Sequence, residues 1–286
     1  SNGGTDVFVS KLDSSGDLVW AKSFGSTTQN EIGHEVAVDS SGNVYTTGYF
    51  YNTVDFDPGA GTTNLTSNGG RDAFVSKLDS SGNYVWAKSF GDSGNDSGAW
   101  VAVDSSGNVY TAGNFGVTVD FDPGAGTANL TSNGQQDGYV LKLDSSGNYV
   151  WAKNFGGTLW DGVSSVAVDS SGNVYTAGSF EDTVDFDPGA GTANLTSSTR
   201  PDVFVLKLDS SGNYVWAKSF GGWLVDSANA VAVDSSGNVY TTGVFRDTAD
   251  FDPGAGTTNL TSNGGTDVFV SKLDSSGDLV WAKSFG

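Results

Sequence analysis

The sequence predicts an all-β protein made of tandem copies of one unit, and three observations carry this prediction. The chain contains four full copies of a unit of 65 or 66 residues. Each copy holds four short runs rich in Val, Tyr, Phe, Trp and Thr, which favour strands. The turn sequence Asp-Ser-Ser-Gly recurs nine times. No apolar pattern repeats every ~3.6 residues and Gly interrupts each stretch, so we expect no helix.

The copies meet end to end and together cover the chain. A partial copy at the C-terminal end is identical, residue for residue, to residues 1–25. We therefore predict a single domain over residues 1–286, with repeats 1–66, 67–131, 132–196 and 197–261 and the partial repeat 262–286.

The elements of the first repeat are four strands. We place them at Val7–Leu12, Leu18–Phe24, Glu35–Val38 and Val44–Tyr49. The turn sequence joins the first strand to the second and the third to the fourth, so it is a hairpin turn. In such a turn the Asp side chain accepts hydrogen bonds from N–H groups two residues on, and Gly takes the left-handed conformation. The nine turns start at Asp13, Asp39, Asp79, Asp104, Asp144, Asp169, Asp209, Asp234 and Asp274.

An insertion follows the second hairpin of the repeat and runs from Thr53 to Ser67. It contains a strand-like run at residues 54–56 and another at residues 64–66. The sequence Asp-Pro-Gly-Ala-Gly between them is typical of a turn. We predict a small additional hairpin.

Tandem units of four short strands favour a β-propeller, in which each unit forms one four-stranded antiparallel blade. Closing the blades into a ring removes most free sheet edges. A linear β-solenoid is the rival architecture, but its coils use far fewer residues than these units do.

The run DVFVSKLDSSGDLVWAKSFG at residues 6–25, with VAVDSSGNVYTTG at residues 36–48, resembles the bacterial β-propeller repeat called SBBP. It is also similar to the NHL repeat. The resemblance covers about three quarters of each unit but not the insertion. It implies that VAVD is the innermost strand of a blade, NVYTTG the second, DVFVSKLD the third and VWAKSFG the outermost.

This strand order implies four complete blades and one surplus outer hairpin, residues 1–25. That hairpin cannot take the same place as residues 262–286 in one closed ring. Three arrangements remain open: a four-bladed ring with a displaced hairpin, a five-bladed ring with one incomplete blade, or an oligomer that exchanges hairpins between chains. Identical segments make exchange easy, so self-association through the terminal hairpins is an expected partnership.

Composition excludes several classes of partner and chemistry. The net charge of −20 argues against nucleic acid and anionic membranes, because both are bound through Lys and Arg. No apolar run is long enough for a transmembrane helix, so we expect no membrane insertion. The chain has no Cys, which excludes disulfides and thiol chemistry. No signal peptide is visible and residue 1 is not Met, so we expect a mature piece or a fragment.

Differences between repeats cluster in two places: the loops between blades and the residues after the second strand. Both should lie on the face opposite the Asp-Ser-Ser-Gly turns, where a fixed scaffold would present varied residues to a ligand. Relaxed drift in exposed loops explains the variation equally well. In place of binding a ligand, Trp100, Trp160 and Trp223 could pack as lids over the gaps between blades. The predicted binding residues are Tyr49, Tyr51, Trp100, Trp160, Glu181, Trp223 and Arg246.

Each insertion contains an Asp-x-Asp pair before Pro-Gly, and two neighbouring carboxylates at a strand end suit Ca²⁺, a cation that prefers oxygen ligands. Turn capping by Asp explains the pair as well. No other cofactor is predicted. The candidate calcium ligands are Asp55, Asp57, Asp120, Asp122, Asp185, Asp187, Asp250 and Asp252.

We predict no enzyme, because the ionisable residues that are unlike their copies form no acid–base set. His34 is the single His, and the nearby Glu31 and Glu35 do not complete a zinc motif. The turn sequence is similar to the Asp-box of sialidases, but Trp20 follows Gly16 too late for that motif.

The sequence therefore favours a non-enzymatic scaffold for adhesion or for recognition of a protein or glycan, located outside a bacterial cell or on its surface. The alternative is a structural unit of a longer surface fibre or assembly. A hydrolase or lyase on a propeller scaffold is the least favoured function.

Overall fold

The computed structural model describes residues 4–27 and 29–286, and every regular element in this part of the chain is a strand. The prediction of an all-β fold is confirmed. No helix in the described ranges is long and apolar enough to cross a membrane.

Four sets of four antiparallel strands correspond to the predicted blades, and we call them the first to fourth blades. The first comprises β3 (Ile32–Val38), β4 (Val44–Phe50), β7 (Asp72–Leu78) and β8 (Tyr84–Phe90). The second comprises β9 (Ser97–Val103), β10 (Val109–Phe115), β13 (Asp137–Leu143) and β14 (Tyr149–Phe155). The third comprises β15 (Gly162–Val168), β16 (Val174–Phe180), β19 (Asp202–Leu208) and β20 (Tyr214–Gly222). The fourth comprises β21 (Ser227–Val233), β22 (Val239–Asp250), β23 (Asn259–Leu273) and β24 (Leu279–Phe285).

The strands of each blade are paired in chain order, as the resemblance implied. The first blade has the order β3-β4-β7-β8, and the second has β9-β10-β13-β14. The third and fourth blades share one eight-stranded sheet, because Gly221 and Gly222 at the end of β20 pair with Asp250 and Ala249 of β22.

The predicted insertion hairpins are present in the first three repeats. They are β5 (Thr53–Asp55) with β6 (Asn64–Thr66), β11 (Thr118–Asp120) with β12 (Asn129–Thr131), and β17 (Thr183–Asp185) with β18 (Asn194–Thr196). In the fourth repeat the corresponding residues are continuous with the long strands β22 and β23.

The Asp-Ser-Ser-Gly turns have the predicted geometry. Asp39 Oδ1 accepts hydrogen bonds from the N–H groups of Ser41 and Asn43, both at 2.9 Å. Gly42 has a φ of 80°, which a side chain would strain. Gly at this position is therefore required by the turn.

The chain divides into two compact units. The first contains the described residues up to Thr111 together with 115–131 and 141–150, and the second contains 112–114, 132–140 and 151–286. Whether the chain is a single domain stays a prediction.

Both compact units contain the same buried aromatic cluster. In the first, Phe56 of the insertion packs on Phe50 of β4, with ring centroids 5.3 Å apart, and on Phe74 of β7 at 5.1 Å. In the second, Phe251 packs on Phe245 and Phe269 at the same two distances. The insertion therefore supplies a core residue to each blade, in addition to its surface turn.

Outer-strand Trp residues join neighbouring blades. Trp86 Nε1 donates to the Ser145 carbonyl at 3.3 Å, and Trp216 Nε1 donates to the Ser275 carbonyl at 3.2 Å. Each acceptor is the first Ser of a hairpin turn in the next repeat. These Trp side chains are buried, so they set the spacing between blades.

The N-terminal segment forms a separate two-stranded sheet of β1 (Val7–Leu12) and β2 (Leu18–Phe24). Val7, Val9 and Phe24 bury their side chains in the core of the first blade. This hairpin is the surplus outer hairpin that the resemblance implied.

Candidate functional site

An acidic residue occupies the same position in every loop between blades. Its own N–H donates to a carbonyl near the start of the same repeat, as Asp161 does to Gln136 at 3.0 Å and Asp226 does to Pro201 at 2.9 Å. The four residues are Glu31, Asp96, Asp161 and Asp226, and all are buried.

The carboxylates of these residues hold two further segments. Asp161 Oδ2 accepts from the Gly157 N–H at 2.7 Å, and its Oδ1 accepts from the Glu181 N–H at 3.0 Å. Asp226 makes the equivalent bonds to Gly222 at 2.6 Å and Arg246 at 3.1 Å. One carboxylate therefore fastens the inter-blade loop to the end of the second strand.

Burial raises the pKa of the carboxyls of Asp96, Asp161 and Asp226 despite the hydrogen bonds that they accept. The pKa of Asp96 rises to about 6, because desolvation and the nearby Asp92 carboxylate outweigh the N–H donors. The pKa values of Asp161 and Asp226 are raised in the same direction by burial.

A second set of buried Asp residues begins the third strand of a blade. Asp72 Oδ2 accepts from the Asn68 N–H at 3.1 Å, whereas its Oδ1 accepts no hydrogen bond among the described residues. Burial, with a contribution from Asp96 and Asp92, raises its pKa to about 7. The equivalent Asp137 and Asp202 have pKa values raised to about 6, again mainly by burial. The loop that precedes each of these Asp residues encloses its carboxyl, so the carboxyl helps to fix the shape of that loop.

In the second compact unit, the fastened loops carry exposed aromatic side chains. Trp160 is 43% exposed and Trp223 is 75% exposed. Trp160 Nε1 donates to Gln136 Oε1 at 2.8 Å, which orients the indole while leaving much of its surface open. The Trp223 carbonyl accepts from Thr199 Oγ1 at 2.9 Å. Both rings are available to a ligand.

The two other predicted residues of this unit lie close to these loops through their backbones. The N–H groups of Glu181 and Arg246 are the donors to Asp161 and Asp226 described above. The Arg246 side chain is exposed, and its Nε donates to Thr266 Oγ1 at 2.7 Å. A shallow cavity of about 220 Å³ is lined by Leu159, Glu181, Asp182, Ser197, Ser198 and Thr199.

In the first compact unit, Tyr49 is the centre of an aromatic group. Its ring lies 5.9 Å from that of Tyr51, 5.5 Å from that of His34, and 4.5 Å below the guanidinium carbon of Arg71. Trp100 is half-buried within β9, and its carbonyl accepts from Thr111 Oγ1 at 3.1 Å. Trp100 is thus a strand residue.

The predicted calcium ligands serve their turns. Asp55 Oδ1 accepts from the N–H groups of Asp57 at 3.1 Å and Thr63 at 2.7 Å, and Asp57 Oδ1 accepts from the Gly59 N–H at 2.7 Å. The other three repeats contain the same bonds. Within residues 4–27 and 29–286, no three His, Asp or Glu side chains form a group that could hold a metal ion. Calcium binding stays a prediction.

Sequence reasoning missed both sets of buried acids, although a signal for them was present. The inter-blade loops differ in nearly every residue, yet Glu31, Asp96, Asp161 and Asp226 keep an acid at one position. An invariant acid inside a variable loop indicates a side chain that holds the loop in place.

The sheets and their junctions define a protein of propeller-type repeats, and comparison with known families agrees. Residues 19–49 match the family model of SBBP, described as a beta-propeller repeat. The resemblance to the SBBP repeat is confirmed over that segment, which runs from β2 into β4. Repeats of this kind mostly form non-enzymatic scaffolds for protein interaction.

Two curated proteins are similar over part of the chain. An uncharacterized WD repeat-containing protein of Acanthamoeba polyphaga mimivirus is 31% identical over 98 residues, which are 29% of this chain and 7% of that protein. The regulatory protein FlaEY of Caulobacter vibrioides is 32% identical over 111 residues, which are 39% of this chain and 12% of that protein. The chain thus spans only a small part of either relative.

Solved structures resemble the chain more distantly. A protein of unknown function from Bacteroides caccae has a TM-score of 0.41 at 8% identity, covering 99% of this chain and 94% of its own. The Pan2 WD40 domain of Neurospora crassa has a TM-score of 0.24 at 11% identity, covering 86% of this chain and 84% of its own.

Proposed function

We propose that the chain is a non-enzymatic recognition module that binds a protein or a glycan through its varied loops. The observation that carries the proposal is the pairing of Trp160 and Trp223 with the buried carboxylates Asp161 and Asp226. The carboxylates hold the loops, and the exposed indoles project from them. A rigid loop with an exposed aromatic side chain loses little conformational entropy on binding. More of the contact energy therefore contributes to affinity, as it does in other recognition surfaces.

Indole rings stack on the apolar faces of sugars and also anchor protein partners. The polar cavity beside Leu159 adds hydroxyl and carboxylate groups that could bond to sugar hydroxyls. These features favour a neutral polar ligand, since the net charge of −20 repels anionic ones.

The test is a glycan array followed by titration of any bound glycan with variants. Trp160→Ala and Trp223→Ala should each weaken binding by more than about tenfold and leave the melting temperature nearly unchanged. Ser170→Ala is the control. It changes the hairpin turn after β15, at the opposite end of that strand from Trp160, and should bind as the parent does.

A lowered melting temperature with unchanged binding would make the Trp residues packing residues. Loss of binding in Ser170→Ala alone would place recognition at the turns.

A location outside a bacterial cell or on its surface is part of the same proposal. It is supported by the strongly acidic composition, which keeps a protein exposed to the medium soluble. Fractionation of the source organism, with an antibody to the chain, checks it.

A second candidate function, a structural unit of a longer assembly, is favoured by one specific observation. Among the described strands, β1 of the hairpin β1–β2 pairs with β2 alone, which leaves its other edge open to a strand of another molecule.

A further inference from the structure

The hairpin β1–β2 sits where the outer half of a blade belongs. Trp20 Nε1 donates to the Ser80 carbonyl at 3.2 Å, as Trp216 Nε1 does to the Ser275 carbonyl at the junction of the third and fourth blades. Phe24 packs on Phe74, with ring centroids 5.7 Å apart, as Phe220 packs on Phe269. The hairpin is therefore docked in a blade position.

The other edge of β1 has no strand beside it among the described residues. Among the described strands β1 pairs with β2 alone, whereas the identical strand of the fourth blade, β23, also pairs with β22. Phe8, Ser10 and Leu12 of β1 are exposed, whereas Phe269, Ser271 and Leu273 are fully buried. An unpaired strand edge with an apolar face is a template for another strand.

The surface that faces the open edge of β1 is β3, the innermost strand of the first blade. Val36 is 50% exposed and Val38 is 59% exposed, whereas Val231, the equivalent of Val36 in the fourth blade, is 8% exposed. Val231 is covered by the third blade, and its N–H donates to Ser165 Oγ at 3.0 Å. Between the two walls lies a groove of about 640 Å³, whose lining includes Val9, Leu12, Trp20, Val36, Val38 and Val44.

We propose that this groove binds the inner hairpin of a second copy of the chain, residues 227–245. In the fourth blade this hairpin already pairs with residues 262–286, whose sequence is that of residues 1–25. The open edge of β1, the acceptor edge, therefore has the sequence with which residues 227–245, the donor hairpin, already pair in the fourth blade. The pairing of Thr241 with Ser271 and Val239 with Leu273 becomes, in the second copy, Thr241 with Ser10 and Val239 with Leu12.

The exchange replaces one set of contacts by a similar set, because the donor hairpin leaves its own outer hairpin and the third blade, which covers Val231. The donor hairpin leaves one outer hairpin for another of identical sequence, so those strand pairs are replaced in kind. It covers Val36 and Val38 of the partner in exchange for uncovering the third-blade face on which Val231 packed, so a rise in concentration drives the dimer and the two burials offset each other. The net charge of −20 on each copy opposes association, so dimerisation should strengthen with added salt.

This inference rests on the second candidate function and gives it a partner and a surface. It does not involve Trp160 or Trp223, so ligand recognition and self-association can fail independently.

Cysteine pairing tests the register, because the chain has no Cys of its own. The Ser10→Cys variant is mixed with the Thr241→Cys variant under mild oxidation, and the product is read by non-reducing electrophoresis. A disulfide-linked dimer should form at least about tenfold more than with Ser10→Cys and Thr242→Cys, because Thr242 projects to the opposite face of its strand. In a chain carrying both Ser10→Cys and Thr241→Cys, the disulfide should join two chains. Equal yields from the two mixtures, or a disulfide closed within one chain, would overturn the proposal.

Sedimentation measures the association without cysteines. The full chain should form dimers and larger species as its concentration rises, and Val36→Lys should weaken this by at least about tenfold, because a Lys cannot be buried in the groove. Val215→Lys is the matched control, since Val215 is an exposed Val of an outer strand and the change of charge is the same. A monomer at every concentration and salt level, or equal weakening by both variants, would sink the idea.

Discussion

Residues 4–25 and 265–286 have one sequence and two environments. In the C-terminal copy, Phe269 is 0% exposed because β22 pairs beside it within a complete blade. In the N-terminal copy, the equivalent Phe8 is 74% exposed. The order reverses at the other end of the hairpin, where Phe24 is buried in the first blade and Phe285 is exposed.

The comparison separates what a sequence does locally from what its neighbours do. Both copies form the same hairpin with the same register and the same bulge before the final Leu. They differ in which face is covered, because Phe24 of the first copy packs on Phe74 of the first blade, whereas β23 of the last copy pairs with β22. The contribution of a residue to stability therefore depends on its place in the array, even where the sequence is identical.

The largest expected effect is at the Phe of the third strand. Phe269→Ala should lower the free energy of unfolding by about 3–5 kcal/mol, because it leaves a cavity in the fourth blade. Phe8→Ala should change it by less than about 0.5 kcal/mol. Denaturant titration of both variants, at concentrations where the chain is monomeric, measures the difference. Equal losses would show that the two hairpins are equally buried in solution.

The last Phe of the hairpin should give a similar result with the order of the copies reversed. Phe24→Ala removes a ring that packs on Phe56 and Phe74, and should cost about 3 kcal/mol or more. Phe285→Ala should be nearly neutral. The same titration checks the pair, and a large loss in Phe285→Ala would mean that the C-terminal face is covered by another chain.

A smaller, pH-dependent effect compares two Asp positions within the first blade. The pKa of Asp72 is about 7 in the folded chain, well above its value in the unfolded chain, so the folded state holds its proton more tightly. This carboxyl therefore supports folding below about pH 4, and the support is lost as the pH rises towards 7. Asp72→Asn should flatten that decline and raise stability at pH 8 by an amount on the order of a few kcal/mol.

The control for Asp72 is an Asp of a hairpin turn. Hydrogen bonds from Asn83 lower the pKa of Asp79, so its carboxylate supports folding at neutral pH and loses that support as the pH falls through the lowered pKa. Asp79→Asn should reduce stability at pH 8. Thermal unfolding at a series of pH values follows both variants. A pH profile of Asp72→Asn that matches the parent's would contradict the assignment.

The smallest expected effect concerns a position at which different residues share one backbone conformation in the four repeats. The second residue after the end of the second strand, or its equivalent inside β22, has a positive φ in each of the four repeats: 54° at Asn52, 26° at Val117, 67° at Asp182 and 58° at Asp247. Asn and Asp tolerate this region, whereas a β-branched Val is strained there. Val117→Asn should therefore increase the free energy of unfolding by roughly 1 kcal/mol and raise the melting temperature, and Asn52→Val should lower both. A shift of the same sign in both variants would contradict this reading.

Much of the fold followed from residues close together in the chain. The strand ends at Val7–Leu12 and Leu18–Phe24 were predicted to the residue, because the turn from Asp13 to Gly16 fixes where each strand stops. The first strand of the blade begins earlier than predicted, at Ile32, since pairing with β4 extends it into a stretch without alternation.

The candidate site was predicted less completely. The loops that carry Trp160 and Trp223 were identified from their variation, and the N–H groups of Glu181 and Arg246 lie close to these loops. Ligand binding by these residues stays a prediction. The buried acids Asp161 and Asp226 were missed, because their role appears only when a loop folds back onto a strand about 20 residues later in sequence. Trp100 was expected near a loop and lies within β9, because that strand starts at Ser97.

The sequence by itself determined the repeat, the strands and the hairpin turns, whereas the order of the strands within a blade was implied by the resemblance to the SBBP repeat. The repeat, the strands and the turns depend on residues a few positions apart. Their strand propensity and turn chemistry can be recognised directly in the sequence. Only the tertiary structure decided which face of each identical hairpin is covered and which carboxyls are buried. It also decided that an apolar groove lies open beside β1. Burial is a property of the whole packed arrangement, so two copies of the same 25 residues can share every local preference and still differ in what surrounds them.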